Sequence, residues 1–348
     1  MMQLPILTMK SYTRRRLLAS TKLGLAAVPF SVALNLAHGY DLTPGSFLIG
    51  FGFGFAVGFV EFFLLKNWLK DLPFLVHLAG KSLMLLWFMY LTFAVLNLLD
   101  IFIGGISWQD YIQVIFQRET LIMMVEGLGV IAFLLFLIHL DRLMGPGVLL
   151  GYVTGRYHRP RREHRIFMFL DLKGSTTLAD EMDPGCYFNF LHRYFSEMSE
   201  PILETDAEIY QYVGDEIVLT WKMGHGLEAD SCIRAFFLIE DQIHTHRDYF
   251  LQTYGVVPEF KAGVHAGEVI TAQIGELKRE IVYNGDVLNT TARIQALCNQ
   301  LGQKLLVSSE LMERLSLGPE YSILELATVP LRGKAEALAL CAVNRNDL

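Results

Sequence analysis

Cysteine is scarce in this 348-residue chain. The four, Cys186, Cys232, Cys298 and Cys341, all lie beyond the midpoint. Their spacings form neither zinc-ligand pairs nor a CxxC redox motif, so buried, reduced thiols in a cytosolic domain are the expectation. Excess positive charge is also missing. Lys and Arg number 29 against 36 Asp and Glu, a net charge of −7, and bulk charge gives a nucleic-acid partner no support. No nucleic acid is expected. Charge of either sign is sparse before Leu140, where long apolar runs dominate, whereas the sequence from Arg156 onward is mixed and charged.

At 52% hydrophobic, the composition is too apolar for an ordinary soluble protein of this length. A spanning helix needs about 20 mostly apolar residues. Four runs meet that need, near Leu18–Leu36, Phe47–Leu65, Val76–Leu98 and Leu121–Leu140, and define a membrane domain over residues 1–141. The connectors are asymmetric. Arg14, Arg15 and Arg16 precede the first run, with Lys22 able to snorkel to the same side. Lys66 and Lys70 separate the second run from the third, and Arg142, Arg156, Arg159, Arg161, Arg162 and Arg165 follow the fourth. The stretch His38–Gly45 has no Lys or Arg, and Leu99–Glu119 has only Arg118. The positive-inside rule then puts both termini in the cytoplasm, in a multi-pass protein of bacterial inner-membrane type. The first run, with its basic start and Ala37-His38-Gly39 ending, also has the form of a cleavable signal peptide.

Glu61, Lys81 and Glu126 fall inside the runs. A charge near the bilayer centre costs about 2.5–3.5 kcal/mol on insertion scales, so each needs a reason. They form either a ligand-sensing polar cluster or an ion pair that fixes helix register. What such a bundle would sense is unknown, and dimerisation alone would account for it. Gly50, Gly52, Gly54 and Gly58 suit close helix packing. Residues 142–164 form the linker: Gly145-Pro146-Gly147 stops the fourth helix, and the Arg cluster suits anionic headgroups.

Beyond the linker, Arg165–Leu170 is a short apolar run that predicts a buried strand. It ends in Asp171, followed by Leu172-Lys173-Gly174-Ser175-Thr176 and an amphipathic stretch. A strand, an acid, a small-residue turn and a helix start suit a metal and a phosphate. Glu208–Val213 and Glu216–Trp221 are β-rich runs split by Gly214-Asp215, a hairpin signal that puts Asp215 at a tip, free to meet Asp171. Two converging carboxylates repel unless a cation lies between them, and oxygen ligands favour Mg²⁺ or Mn²⁺. A helical pattern then runs over Leu227–Tyr254, and Gly263, His265 and Gly267 interrupt a strand-like alternation over Phe260–Gln273. Asn284-Gly285-Asp286 opens a helix on which Asn289 and Arg293 share a face.

In order along the chain, these pieces resemble the class III adenylyl and guanylyl cyclases. Phe169–Thr176 is similar to their first metal motif and Val213–Glu216 to the second. Gly263–Glu268 resembles the strand pair that follows, Gly285–Arg293 the transition-state helix, and Leu331-Arg332-Gly333-Lys334 the late phosphate-contact segment. The resemblance implies an α+β, ferredoxin-like palm domain over residues 165–346, behind an α-helical membrane bundle. It implies a head-to-tail homodimer with active sites at the interface. Asp171, Asp215 and the Leu172 carbonyl would hold two Mg²⁺ or Mn²⁺ ions, and Lys173, Gly174, Ser175 and Thr176 would cradle the triphosphate. Asn289 and Arg293 of the second copy would serve the transition state, and Arg332 or Lys334 would meet the terminal phosphates. The implied reaction turns a nucleoside triphosphate, with ATP expected, into a 3′,5′-cyclic nucleotide and pyrophosphate.

One departure concerns the base. Where the family's adenylyl cyclases carry a Lys and an Asp or Thr, this chain has Gln211 and Val282. Gln can donate and accept, while Val does neither, so GTP or a pyrimidine triphosphate stays open. A catalytically silent receptor is the alternative function, disfavoured because both acids and both transition-state residues are present. A diguanylate cyclase is disfavoured too, because the turn reads Val213-Gly214-Asp215-Glu216 rather than GG[DE]EF.

Overall fold

The computed structural model describes residues 11–39, 41–65, 72–103, 107–145, 148–330 and 337–346. Its internal contacts divide it into two units, Met1–Met144 and Gly145–Leu348. The architecture is that expected from the sequence, long apolar helices followed by an α+β domain.

The first unit contains α1 (Ser11–Ala37), α2 (Pro44–Phe59), α3 (Phe74–Ile103), α4 (Trp108–Phe116) and α5 (Arg118–Met144). Among the described residues, four helices are long and apolar enough to cross a membrane: Arg16–Ala37, Pro44–Leu64, Phe74–Val95 and Arg118–Met144. The short α4 was not anticipated. Ser107 caps it, its hydroxyl accepting from the Asp110 amide. The glycine stripe on α2 is used selectively. A Cβ on Gly50 would lie 2.6 Å from Ser31 Cβ, on Gly54 2.4 Å from the Leu23 carbonyl oxygen, and on Gly58 2.9 Å from Ser20 Cα. These positions, four apart, share one face against α1, whereas Gly52 meets nothing within 4 Å. The polar trio also divides. Lys81 Nζ donates to both oxygens of Glu61 at 2.8 Å, while Glu126 Oε1 lies 2.8 Å from His38 Nε2.

The second unit opens with α6 (Val148–Val153) and β1 (Arg161–Leu172), then α7 (Ser175–Glu181), α8 (Pro184–Glu197) and α9 (Ser199–Glu204). The hairpin β2 (Glu208–Val213) and β3 (Glu216–Lys222) follows, then α10 (Met223–Leu227), α11 (Ser231–Thr245) and α12 (Arg247–Tyr254). Next come β4 (Phe260–Ile274), β5 (Glu280–Asn284), α13 (Asp286–Leu301), β6 (Leu305–Ser308), α14 (Ser309–Met312), β7 (Tyr321–Pro330) and β8 (Ala337–Arg345). The strands lie in the order β2-β3-β1-β4-β6-β8-β7, with β5 paired to β4. The helical pattern over Leu227–Tyr254 is broken into α11 and α12 rather than continuous.

Alternation along β1 divides the core in two. Ile166, Met168, Leu170 and Leu172 join Phe190, Tyr194, Phe236 and Phe250 of the helical layer α8–α12. Phe167 and Phe169 face the other way, with Val218, Val269 and Val287. Gly263, His265 and Gly267, read as interruptions, lie within one unbroken strand. The glycines are there for a different reason: α13 rests on them. A Cβ on Gly263 would lie 2.4 Å from the Gln295 amide nitrogen, and on Gly267 3.1 Å from Val287 Cβ. The imidazole of His265 is buried, with Nδ1 2.8 Å from Ser308 Oγ.

Because backbone blocks any added carbon at Gly263, Gly263→Ala is expected to destabilise the chain by about 1–3 kcal/mol, the usual cost of overpacking. Denaturant unfolding of the detergent-held chain measures it. Gly224→Ala, at a position with nothing within 4 Å, serves as the near-neutral control.

Candidate active site

Strand register brings the acids together. Asp171 is opposite Glu216 on β3 and Lys261 on β4, and Asp215 immediately precedes Glu216 in the two-residue β2–β3 turn. Gly214 takes a left-handed φ of 64° there, a conformation glycine adopts without steric cost. Asp171 is therefore held on a central strand between two neighbours, and Asp215 reaches it from the adjoining hairpin tip.

The electrostatics follow from that crowding. Burial pushes the Asp171 carboxyl above its ordinary range and the charge of Asp215 adds to this, while Lys261 pulls the other way. Burial, then the charges of Asp171 and Asp215, raise Glu216 to about 7. Two groups hold Asp171 in place: Lys261 Nζ lies 3.2 Å from Oδ2, and Gln295 Nε2 donates to the same oxygen at 3.0 Å. Asp215 Oδ2 is buried with no hydrogen-bond partner among the described residues. An orphaned carboxylate oxygen beside a second crowded carboxylate is what a bound cation would satisfy, and the donor set is that of a hard divalent ion. Among the described residues, no trio of His, Cys, Asp and Glu converges to hold a metal. Asp171 and Asp215 together fit a hard cation whose remaining ligands would come from backbone oxygen, water or a bound ligand.

The stretch expected to meet phosphate is a turn. Leu172 is buried, and Gly174, left-handed at φ 71°, precedes α7 and leaves the amides at Ser175 and Thr176 at a helix start. Lys173 does not point its charge at the acids: its Nζ pairs with Glu259 at 3.0 Å, and its amide donates to the Glu259 carbonyl at 2.8 Å.

Asn289 and Arg293 are not brought to Asp171. Asn289 is exposed on α13 and Arg293 half-buried, whereas the residue of that helix which touches Asp171 is Gln295. Gln295 lies about 200° around the helix from Arg293. One helix thus offers an amide to its own aspartate and presents the predicted pair on another face. Gln211 is exposed on β2 opposite Val218, and Val282 is half-buried on β5 opposite Ala272. Their strands meet through Tyr210 and Tyr283, whose ring centroids are 5.0 Å apart. Arg332 and Lys334 lie outside the described residues.

Sequence reasoning missed Lys261 and Gln295. A lysine at the start of an apolar strand, two residues before the Gly263 seat, was a usable signal for the first. Gln295 had none, because its role depends on how closely α13 approaches β4.

A mixed sheet thus carries one aspartate near the end of a central strand and a second in the adjoining hairpin turn. The chain belongs to the family described as the adenylate and guanylate cyclase catalytic domain, whose profile matches residues 159–341. Among curated relatives, it is 34% identical over 215 residues to adenylate cyclase 2 of Rhizobium meliloti, covering 62% of this chain and 59% of the relative. It is 27% identical over 182 residues to an adenylate cyclase of Anabaena cylindrica, covering 51% of this chain and 36% of the relative. The chain thus spans only part of both relatives. A solved bacterial light-regulated adenylyl cyclase shares the fold, with a TM-score of 0.55 at 21% identity over 66% of this chain and 67% of that one.

A cation held at Asp171 and Asp215 would gain from the negative charge of Glu216 beside them and lose it when Glu216 takes up a proton. Mn²⁺ binding to the full chain, followed by electron paramagnetic resonance, is expected to weaken as pH falls from 8 through about 7, the value to which burial and the aspartates push Glu216. Asp215→Asn is expected to lower the affinity at least about ten-fold, as does loss of a hydrogen bond to a charged group.

Proposed function

We propose that this protein is a membrane-bound nucleotidyl cyclase that forms a 3′,5′-cyclic nucleotide and pyrophosphate from a nucleoside triphosphate, with ATP the expected substrate. The observation that carries the reading is the pairing of Asp171 with Asp215, whose buried Oδ2 has no hydrogen-bond partner among the described residues. The matches to adenylate cyclases of Rhizobium meliloti and Anabaena cylindrica support the choice of reaction.

Mg²⁺ or Mn²⁺, when bound, lowers the pKa of the attacking 3′-hydroxyl and neutralises the leaving phosphates. Asp171 and Asp215 would hold it, helped by the Leu172 carbonyl. Lys261 and Gln295 fix the Asp171 carboxylate, and Lys261 offsets part of the acids' repulsion. The amides at Gly174, Ser175 and Thr176 face the triphosphate from the start of α7. Lys173, engaged by Glu259, serves through its backbone rather than its charge.

Asn289 and Arg293 point away from the aspartates of their own chain, which suits a homodimer in which each copy completes the other's site. Asn289 would orient the ribose, and the guanidinium of Arg293 would meet charge developing at the α-phosphorus. Removing one such donor costs on the order of 10²–10³ in turnover. Gln211 and Val282 stand at the base, where an amide without a charged partner permits looser selection than a Lys–Asp pair. The four apolar helices would hold the chain in a membrane, and the Lys and Arg pattern of the connectors supports a cytoplasmic catalytic unit.

Full-length protein incubated with each nucleoside triphosphate and Mn²⁺ should yield a cyclic product, identified by mass. Asp171→Ala and Asp215→Ala should each abolish it, and wild-type turnover in either would sink the metal assignment. Coexpressed Asp171→Ala and Arg293→Ala chains should regain partial activity, because a mixed dimer rebuilds one intact site. Absence of rescue in verified mixed dimers would overturn the shared site.

A further inference from the structure

The first unit holds a polar cavity that the proposed reaction does not use. Its volume is about 20 Å³, and its charged and titratable lining consists of Glu61, His77, Lys81, His139 and Arg142. Glu61 and Lys81 are each only 2% exposed. Lys81 Nζ donates to both carboxylate oxygens at 2.8 Å, and Arg142 Nη2 donates to Oε1 at 2.9 Å. One carboxylate therefore faces two basic side chains, and the two other titratable groups of the lining are imidazoles. His77 Nε2 is buried with no hydrogen-bond partner among the described residues, and the His139 ring lies against Phe74 at 4.3 Å.

The backbone is adapted to this cluster. Between α2 and α3 the chain widens into a π turn, Val60–Leu64, closed by the Leu65 amide donating to the Val60 carbonyl at 2.9 Å. Such turns weaken a helix and occur often at functional sites. This one bears Glu61, the carboxylate on which both cations converge.

We propose that this cavity is a binding site for a small monovalent anion of halide size. Its lining sets two basic side chains, Lys81 and Arg142, against one carboxylate, with Phe74, Leu78, Leu135 and Ile138 closing the rest. The buried imidazole nitrogen can donate a hydrogen bond into it. A space of about 20 Å³ admits one water-sized particle. The inference rests on reading these helices as a membrane bundle.

The test titrates full-length protein in detergent with sodium chloride or bromide, exchanged against sodium gluconate at constant ionic strength, and follows the unfolding midpoint. A ligand of the folded state raises that midpoint saturably. Chloride and bromide are expected to do so and gluconate is not. His77→Ala and Arg142→Gln should each move half-saturation at least about ten-fold higher, while His38→Ala, beside Glu126, should leave it in place. An equal rise with gluconate, or an unchanged half-saturation in the variants, overturns the site. If His77→Ala does not assemble, Arg142→Gln decides, since Arg142 is 43% exposed and its loss leaves the Glu61–Lys81 pair intact. Cyclic-nucleotide formation and sedimentation with membranes are measured on the same material. Loss of either sinks the proposed function while the halide titration is read independently.

Discussion

Two like charges forced together are the constraint around which the catalytic unit is arranged. Left alone, the repulsion of Asp171 and Asp215 would drive one to keep a proton, and burial strengthens that tendency. The fold nevertheless holds them in place, one fixed in the middle of a sheet by hydrogen-bonded neighbours on both sides, the other on a tight hairpin tip. Lys261 and Gln295 bond the first aspartate, while an oxygen of the second has no hydrogen-bond partner among the described residues. That asymmetry is what the proposed cation would resolve.

The two layers beneath that sheet have different tasks. The aromatic packing of α8–α12 makes the larger core, with Phe190, Phe236 and Phe250 buried against the even-numbered residues of β1. The opposite layer is thinner and depends on glycine, since α13 sits close enough for Gln295 to reach Asp171 only because Gly263 has no side chain. Stability and site geometry are thus carried by different faces of one sheet.

Much of this was legible in the sequence because it is local. Apolar runs of spanning length, an acid at a strand end and a Gly-Asp turn each announce themselves within a few residues. The order of those pieces carries the family. What was hidden depends on distance in the chain. Lys261 meets Asp171 through register, and Gln295 meets it through helix docking. Gly263 and Gly267, which looked like breaks in a strand, are the seats that make this docking possible. In the first unit, Glu61 and Lys81 were readable as charges in need of partners. That Arg142 would join them and that Glu126 would pair with His38 instead depended on how the helices pack.

The small-residue stripe of α2 has a consequence for assembly. Gly50, Gly54 and Gly58 are already covered by α1 of the same chain, so the groove they make is closed to outsiders. Two copies meeting side by side in a bilayer would have to touch through other surfaces of the bundle, where a Cβ on Gly52 or Gly129 would have nothing within 4 Å.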